Sequence, residues 1–294
     1  MGLVDYSESD GEDEVIEPQT KKRKLSSEHN KALPPLPAGF RDLYSSTVRT
    51  SVQDDPALHG GRKRVTPHVA GNWPTHIYLD WTPSSTEDKT LRETVSYVHK
   101  TAGAEGSVHS LLENDLGVQQ PLHVSLSRPL ALKTEDKDDF LQELESATTG
   151  SSVRTFTVRP LDLVWHANED RTRWFLVLRL QQPSADELQT LLKKCNALAA
   201  QFNQPLLYHG GSSIAGDDSE DLHDSGPHDS FHISVAWSLK FEDSKQAQSG
   251  PVNVDVSPAL LEQLEGLKIK FSEVKVRVGQ DVHSIPLQQA RERR

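Results

Sequence analysis

Two short segments of β-forming residues each carry His-x-Ser. They are Leu122-His123-Val124-Ser125-Leu126-Ser127 and Phe231-His232-Ile233-Ser234-Val235-Ala236-Trp237. Side chains alternate across a strand, so His123 and Ser125 leave one face while Val124 and Leu126 enter a core from the other. His232 and Ser234 repeat the arrangement against Ile233 and Val235. A chain with this duplication needs two strands, each core on one side and polar on the other. Two imidazoles can serve one reaction as general base and general acid, because an unperturbed pKa of ~6.5 supplies both forms near neutral pH. The two serines are suited to holding phosphate oxygens.

The rest of the chain supplies strands and helices around these segments. His76 to Trp81 reads as a strand, and Leu91 to His99 as a short helix with Leu91, Val95 and Val98 on one face. Asp136 to Ser146 reads as a helix that turns Phe140, Leu141 and Leu144 inward. Arg154 to His166 and Arg173 to Leu180 read as a hairpin around Asn168-Glu169-Asp170-Arg171. Ala185 to Phe202 is the clearest helix, and Cys195 on its apolar stripe reads as a small buried hydrophobe. Lys268 to Val278 is further strand, bent or folded as a hairpin. This order suits an α+β fold with antiparallel sheets better than a doubly wound parallel sheet.

Hydrophobic residues make up only 35% of 294, so part of the chain contributes no core. Residues 1–38 fill that role. They run acidic (Asp5 to Glu17), then basic (Lys21-Lys22-Arg23-Lys24), then proline-rich, and are expected to be a disordered tail. The basic run is similar to a short nuclear-import signal. The segment 209–229, rich in glycine, serine and aspartate, is expected to be a flexible insertion. Its histidines His209, His223 and His228 match no metal-ligand spacing. Much of the net charge of −11 belongs to the tail and the insertion, leaving a nearly neutral body. Such a body favours recognition of a short single-stranded end over tight duplex binding, with Arg62-Lys63-Arg64 as a candidate basic patch. No segment reads as a membrane span or a secretory signal, and one cysteine excludes an intrachain disulfide.

The three segments Gly71-Asn72-Trp73-Pro74-Thr75-His76-Ile77-Tyr78-Leu79-Asp80-Trp81, Pro121 to Ser127 and Ser230 to Trp237 occur in that order. The chain resembles the U6 snRNA phosphodiesterase family of the two-histidine (2H) phosphoesterase superfamily, over about residues 60–290. The resemblance implies a bilobal domain of two small antiparallel sheets with flanking helices, pseudo-twofold symmetry and a central cleft holding both motifs. It further implies a 3′ to 5′ exoribonuclease that trims the oligouridine end of U6 snRNA in the nucleus. His123 and His232 would be catalytic, with His232 the base, and Ser125 and Ser234 would bind phosphate. An aromatic residue shortly before the second motif would stack on the terminal base, and Tyr208 is the nearest match.

The expected reaction uses the RNA's own 2′-hydroxyl as nucleophile and leaves a 2′,3′-cyclic phosphate, which two histidines could also open to a 3′-phosphate. Neither a metal nor a cofactor is called for, and a monomer acting on a single-stranded RNA 3′ end is expected. Trp73, Trp165 and Trp174 read as packing residues, whereas Trp81 and Trp237, each at a strand end, are candidates for the cleft rim and none is counted as a site residue. His76 is read as structural, because Tyr78 stands where a partner serine would be. Two other readings stay open at this point: an enzyme acting on already cyclic ends, and a non-catalytic RNA-binding subunit of the same fold.

Overall fold

The computed structural model describes residues 71–101, 108–114, 116–168, 171–208, 231–239 and 251–289. The chain divides into two units, Met1–Leu36 and Pro37–Arg294, and the described residues belong to the second. The expected tail, both basic runs and the 209–229 insertion lie outside the described residues.

Along the chain the elements are β1 (Asn72–Trp81), α1 (Ser85–Thr101), β2 (His109–Ser110), β3 (Leu122–Ser125) and β4 (Leu130–Lys133). A 3-10 turn then leads into α2 (Lys137–Thr149), β5 (Phe156–Val158), β6 (Pro160–Ala167), β7 (Trp174–Leu180) and α3 (Glu187–Gln201). β8 (His232–Ser238), β9 (Val252–Asn253), α4 (Pro258–Glu265), β10 (Ile269–Phe271), β11 (Glu273–Val278) and β12 (Asp281–Pro286) complete it. Among the described residues no helix is long and apolar enough to cross a membrane.

Two five-stranded antiparallel sheets carry the architecture. The first runs β12-β11-β1, with β3 and β4 both paired to the other edge of β1. The second runs β2-β8-β7-β6-β9. A two-stranded ribbon of β5 and β10 stands beside them. Helix α1 packs on α4, which reaches β6, while α2 packs on α3 and reaches β12. The expected α+β fold is therefore present. Its sheets interleave in sequence, since β2 joins the second sheet before β3 joins the first.

Local sequence explains where the elements start. Ser84 and Glu87 form a reciprocal cap at the start of α1, with Glu87 Oε2 accepting from the Ser84 amide at 2.7 Å, so the helix begins six residues before Leu91. The run Arg154 to His166 is not one strand. Pro160 lacks a donor and takes the first place in β6, while β5 pairs with β10. The run Lys268 to Val278 divides likewise at Ser272, and β11 instead makes a hairpin with β12. The hairpin of β6 and β7 is present as expected.

The two partners along one edge of β1 are joined by a detour through residues 126–129. Ser127 closes it: its Oγ accepts the Ile77 amide at 2.9 Å, and the Ile77 carbonyl accepts from the amides of Leu126 (2.9 Å) and Ser127 (3.2 Å). Ser127 is only 3% exposed, so removing its hydroxyl orphans a buried donor. Ser127→Ala is expected to lower unfolding stability by about 1–3 kcal/mol, read as a shift of the urea midpoint at unchanged slope.

Candidate functional site

The motif strands β3 and β8 pack against each other where the two sheets meet. Each obeys the alternation that its sequence demands. Leu122, Val124, Ile233 and Val235 are buried, while Ser125, His232 and Ser234 are half-buried and His123 is exposed. A bulge follows the second motif, because Leu176 faces Ala236 while its neighbour Val177 faces Ser234, leaving Val235 as the extra residue. The bulge turns Trp237 to the same face as His232.

The first wall of the cleft is built on β1. Its register sets Tyr78 opposite Ser125 and Asp80 opposite His123 on one side, and His76 opposite Arg277 and Tyr78 opposite Lys275 on the other. These seven residues share a face. His76 Nε2 lies 3.1 Å from Ser125 Oγ. The His76 ring stacks on Tyr78 at 5.3 Å and meets His123 edge-on at 5.4 Å. Tyr78 also meets His123 edge-on at 5.7 Å. Lys275, 3% exposed, reaches Asp80 at 3.0 Å and Glu273 at 3.6 Å.

The second wall has the same register logic and different chemistry. Arg179 stands opposite both His232 and Asp162, and its guanidinium makes a two-pronged ion pair with the Asp162 carboxylate. Val177 stands opposite Ser234 and Val164, and both valines are buried. Above them the His166 ring stacks on His232 at 5.7 Å. Farther along, Trp237 stacks on His109 at 4.1 Å and meets the Arg173 guanidinium over its ring at 3.9 Å.

The electrostatics favour neutral rings on the first wall. His123 is held down to about 4, by lost solvation between the walls, then by the charges of His232 and Arg277. Its edge stays open to solvent, so the crowding is that of a cleft and not of a sealed core. His76 is held down to about 3 by burial, then by His123 and Arg277. The arrangement offers imidazoles on two facing strands, a hydroxyl beside each, and the guanidinium of Arg277. That combination can take an anionic phosphodiester, move a proton on either side of it and hold its non-bridging oxygens.

The sequence-derived residues fall as follows. His123 and Ser125 share the first wall, His232 and Ser234 the second, and the charges of the two histidines interact. Tyr208 is half-buried and meets Phe231, the residue before the second motif, edge to face at 5.8 Å. Burial pushes its phenol up. Trp165 and Trp174 are core residues as expected, and Cys195 is buried with its thiol pushed up to about 12. Trp81 is a correction: it follows Ile77 and Leu79 on the inward face and is 5% exposed, so it does not rim the cleft. His76, read as structural, touches both His123 and Ser125. The polar positions 76, 78 and 80 alternate with apolar 77, 79 and 81, which is the signal that could have found it. Arg277 carries the same signal in β11. Among the described residues no cluster of histidine, cysteine, aspartate or glutamate is set to hold a metal, and His209, His223 and His228 lie outside them.

Comparison with known proteins follows the same lines. The family model HVSL, described as an uncharacterised conserved protein, matches residues 34–286. Its four letters are those of His123-Val124-Ser125-Leu126. The chain is 35% identical to U6 snRNA phosphodiesterase 1 of Neurospora crassa, over 91% of this chain and 77% of that protein. It is 24% identical to U6 snRNA phosphodiesterase 1 of Homo sapiens, over 97% of this chain and 98% of that one. The fold is similar to that of Kluyveromyces marxianus Usb1, with a TM-score of 0.53 at 18% identity, covering 73% of this chain and 98% of that one. A second structure of that protein, with uridine monophosphate, gives a TM-score of 0.52.

Because both rings of the first wall have depressed values, the unfolded chain, with values near 6.5, takes up protons first as pH falls. The stability these groups contribute is complete above about pH 6.5 and is lost as pH falls through their folded values, about 4 for His123 and about 3 for His76. The His123 ring, followed by NMR in the absence of anions, is expected to titrate well below 6.5, and Arg277→Gln to move that midpoint upward.

Proposed function

Since the chain belongs to the U6 snRNA phosphodiesterase family of two-histidine phosphoesterases, we propose that it is a 3′ to 5′ exoribonuclease that trims the oligouridine end of U6 snRNA in the nucleus. The observation that carries this reading is the meeting of the two His-x-Ser strands, with His123 within reach of the charge of His232. The relatives' shared name supplies the RNA, and the uridine monophosphate bound by Usb1 supports a uridine at the 3′ end.

In this mechanism His232 takes the proton of the 2′-hydroxyl. The 2′-oxygen attacks the adjacent phosphorus, the bond to the 5′-oxygen of the departing nucleoside breaks, and His123 gives that oxygen a proton. The RNA left behind ends in a 2′,3′-cyclic phosphate. For His123 to act as acid it must carry a proton, which the empty cleft opposes. The incoming phosphodiester supplies negative charge that offsets His232 and Arg277, the two neighbours that, after burial, hold His123 down. Asp80, its cross-strand neighbour, lies on the same side. Ser125 and Ser234 donate to the non-bridging oxygens, whose charge grows in the transition state. Tyr208, beside the entry to the second motif, is assigned the terminal base, a stacking role that tolerates any single-stranded end.

Opening of the cyclic product to a 3′-phosphate would use the same histidines with water in place of the departing 5′-hydroxyl. A monomer acting without metal is sufficient for either step.

The test is incubation with a single-stranded RNA ending in several uridines, in EDTA, with the shortened ends identified by mass. A ladder ending in cyclic phosphate is expected, or in 3′-phosphate if the second step follows. A 2′-deoxy residue at the penultimate position is expected to stop cleavage, and His123→Ala or His232→Ala to lower turnover by ~10² or more. Undiminished trimming of the 2′-deoxy substrate would overturn the mechanism.

A further inference from the structure

The two serines of the cleft are not held alike. Among the described residues no hydrogen bond engages the Ser234 hydroxyl, whose cross-strand neighbour is Val177. Ser125 Oγ lies 3.1 Å from His76 Nε2, on a ring fixed by stacking on Tyr78 and by the edge of His123. A hydroxyl has one proton, so what His76 does with that contact decides what Ser125 can offer a ligand.

The groups around His76 are Tyr78 on its own strand, His123 and Ser125 on β3, and Arg277 on β11. None is an acid, and two can be cationic. A second proton on the ring is therefore opposed by burial first and then from both neighbouring strands, in keeping with its depressed value of about 3. A neutral imidazole has one N–H. If Nε2 lacks it, Ser125 donates to His76, and only serine lone pairs face an anionic phosphate oxygen. If Nε2 carries it, Ser125 accepts from His76 and its own proton is free to point into the cleft. An anion in the cleft favours the second tautomer, because only that one gives it a donor.

We propose that His76 is a positioning residue, which donates from Nε2 to Ser125 Oγ and so directs the serine's proton at a phosphoryl oxygen of the RNA. The inference rests on the phosphate-binding role given to Ser125 in the proposed function. It makes the first wall the oriented half of the phosphate clamp and leaves Ser234 to orient on the ligand.

Two measurements test it. In the first, kcat and KM for RNA trimming are compared among wild type, His76→Phe, which keeps the ring volume without a donor, His76→Gln, which restores an amide donor, and Ser125→Ala. His76→Phe is expected to lower kcat ~10-fold or more, as loss of a hydrogen bond serving a charged group would. His76→Gln should recover most of that loss, and the double variant His76→Phe/Ser125→Ala should be no slower than Ser125→Ala alone. An unchanged kcat in His76→Phe, or losses that multiply in the double variant, overturns the proposal. The second measurement needs no catalysis. The 15N shifts of His76 in the wild-type protein with saturating inorganic phosphate should show the neutral ring protonated at Nε2 at pH 7, and the opposite tautomer or a doubly protonated ring overturns the proposal. Wild-type protein that fails to shorten RNA would instead overturn the exonuclease reading, and the NMR result would still decide the state of His76.

Discussion

The register of β1 is the constraint on which the site depends. This strand is hydrogen-bonded on both edges, to β11 on one and to β3 and β4 on the other. Its inward residues Ile77 and Leu79 are fully buried and Trp81 nearly so. Its outward residues His76, Tyr78 and Asp80 form the middle of the first wall. A slip of one residue would exchange the two sets. Burying a large apolar side chain contributes about 1.5–3 kcal/mol, against a net ~1 kcal/mol for a backbone hydrogen bond that the slipped pairing could recover. The apolar pattern therefore fixes the register, and the position of the imidazoles follows from it.

The two walls share a plan and diverge in content. On both, the motif histidine stands opposite a charged residue of the central strand, Asp80 for His123 and Arg179 for His232. Both charges are neutralised, Asp80 by Lys275 and Arg179 by Asp162. One row along, the plan parts. Ser125 faces Tyr78 and Lys275, a polar row, whereas Ser234 faces Val177 and Val164, an apolar one. Desolvated valines under His232 and His166 leave the imidazoles and hydroxyl as the polar surface there. The two walls of this frame thus differ in the way the proposed mechanism asks, in which one side removes a proton and the other supplies one.

What the sequence reveals of this is uneven for physical reasons. The motif strands, the helix at Glu187–Gln201 and the hairpin of β6 and β7 are local patterns, set by neighbours along the chain, and they are legible. The short helix α4 escaped notice although Ser257 caps it, with Pro258 in its first turn and Gly266 after its end, the usual boundary signals. The split of Arg154 to His166 turns on where β5 finds a partner, and that partner, β10, lies more than a hundred residues away. The contact of His76 with Ser125 is hidden in the sequence for a related reason. Motif logic asks for a serine two positions along the same strand, whereas its serine lies across the sheet, 49 residues away. Trp81 was misplaced because a strand end looks exposed in sequence, although its parity with Ile77 and Leu79 puts it inside.

Net charge is a poor guide to such a cleft, and the pairing pattern shows why. Of the cations on the two walls beside the motif histidines, Lys275 is tied to Asp80 and Glu273, and Arg179 to Asp162. Arg277 has no ion-pair partner among the described residues, and it is the charge felt by both His76 and His123. A formal charge of −11 is therefore compatible with a cleft that attracts anions, because opposite charges at 3–4 Å cancel before they reach the ligand while an unpaired one does not. The same arithmetic makes the site self-limiting. Burial first, then a neighbouring imidazole and Arg277, oppose protonation of both rings, so the charge suited to an anion also disfavours a charged ring. In the proposed mechanism a bound anion adds negative charge to the first wall and so favours the protonated imidazole that the acid step needs.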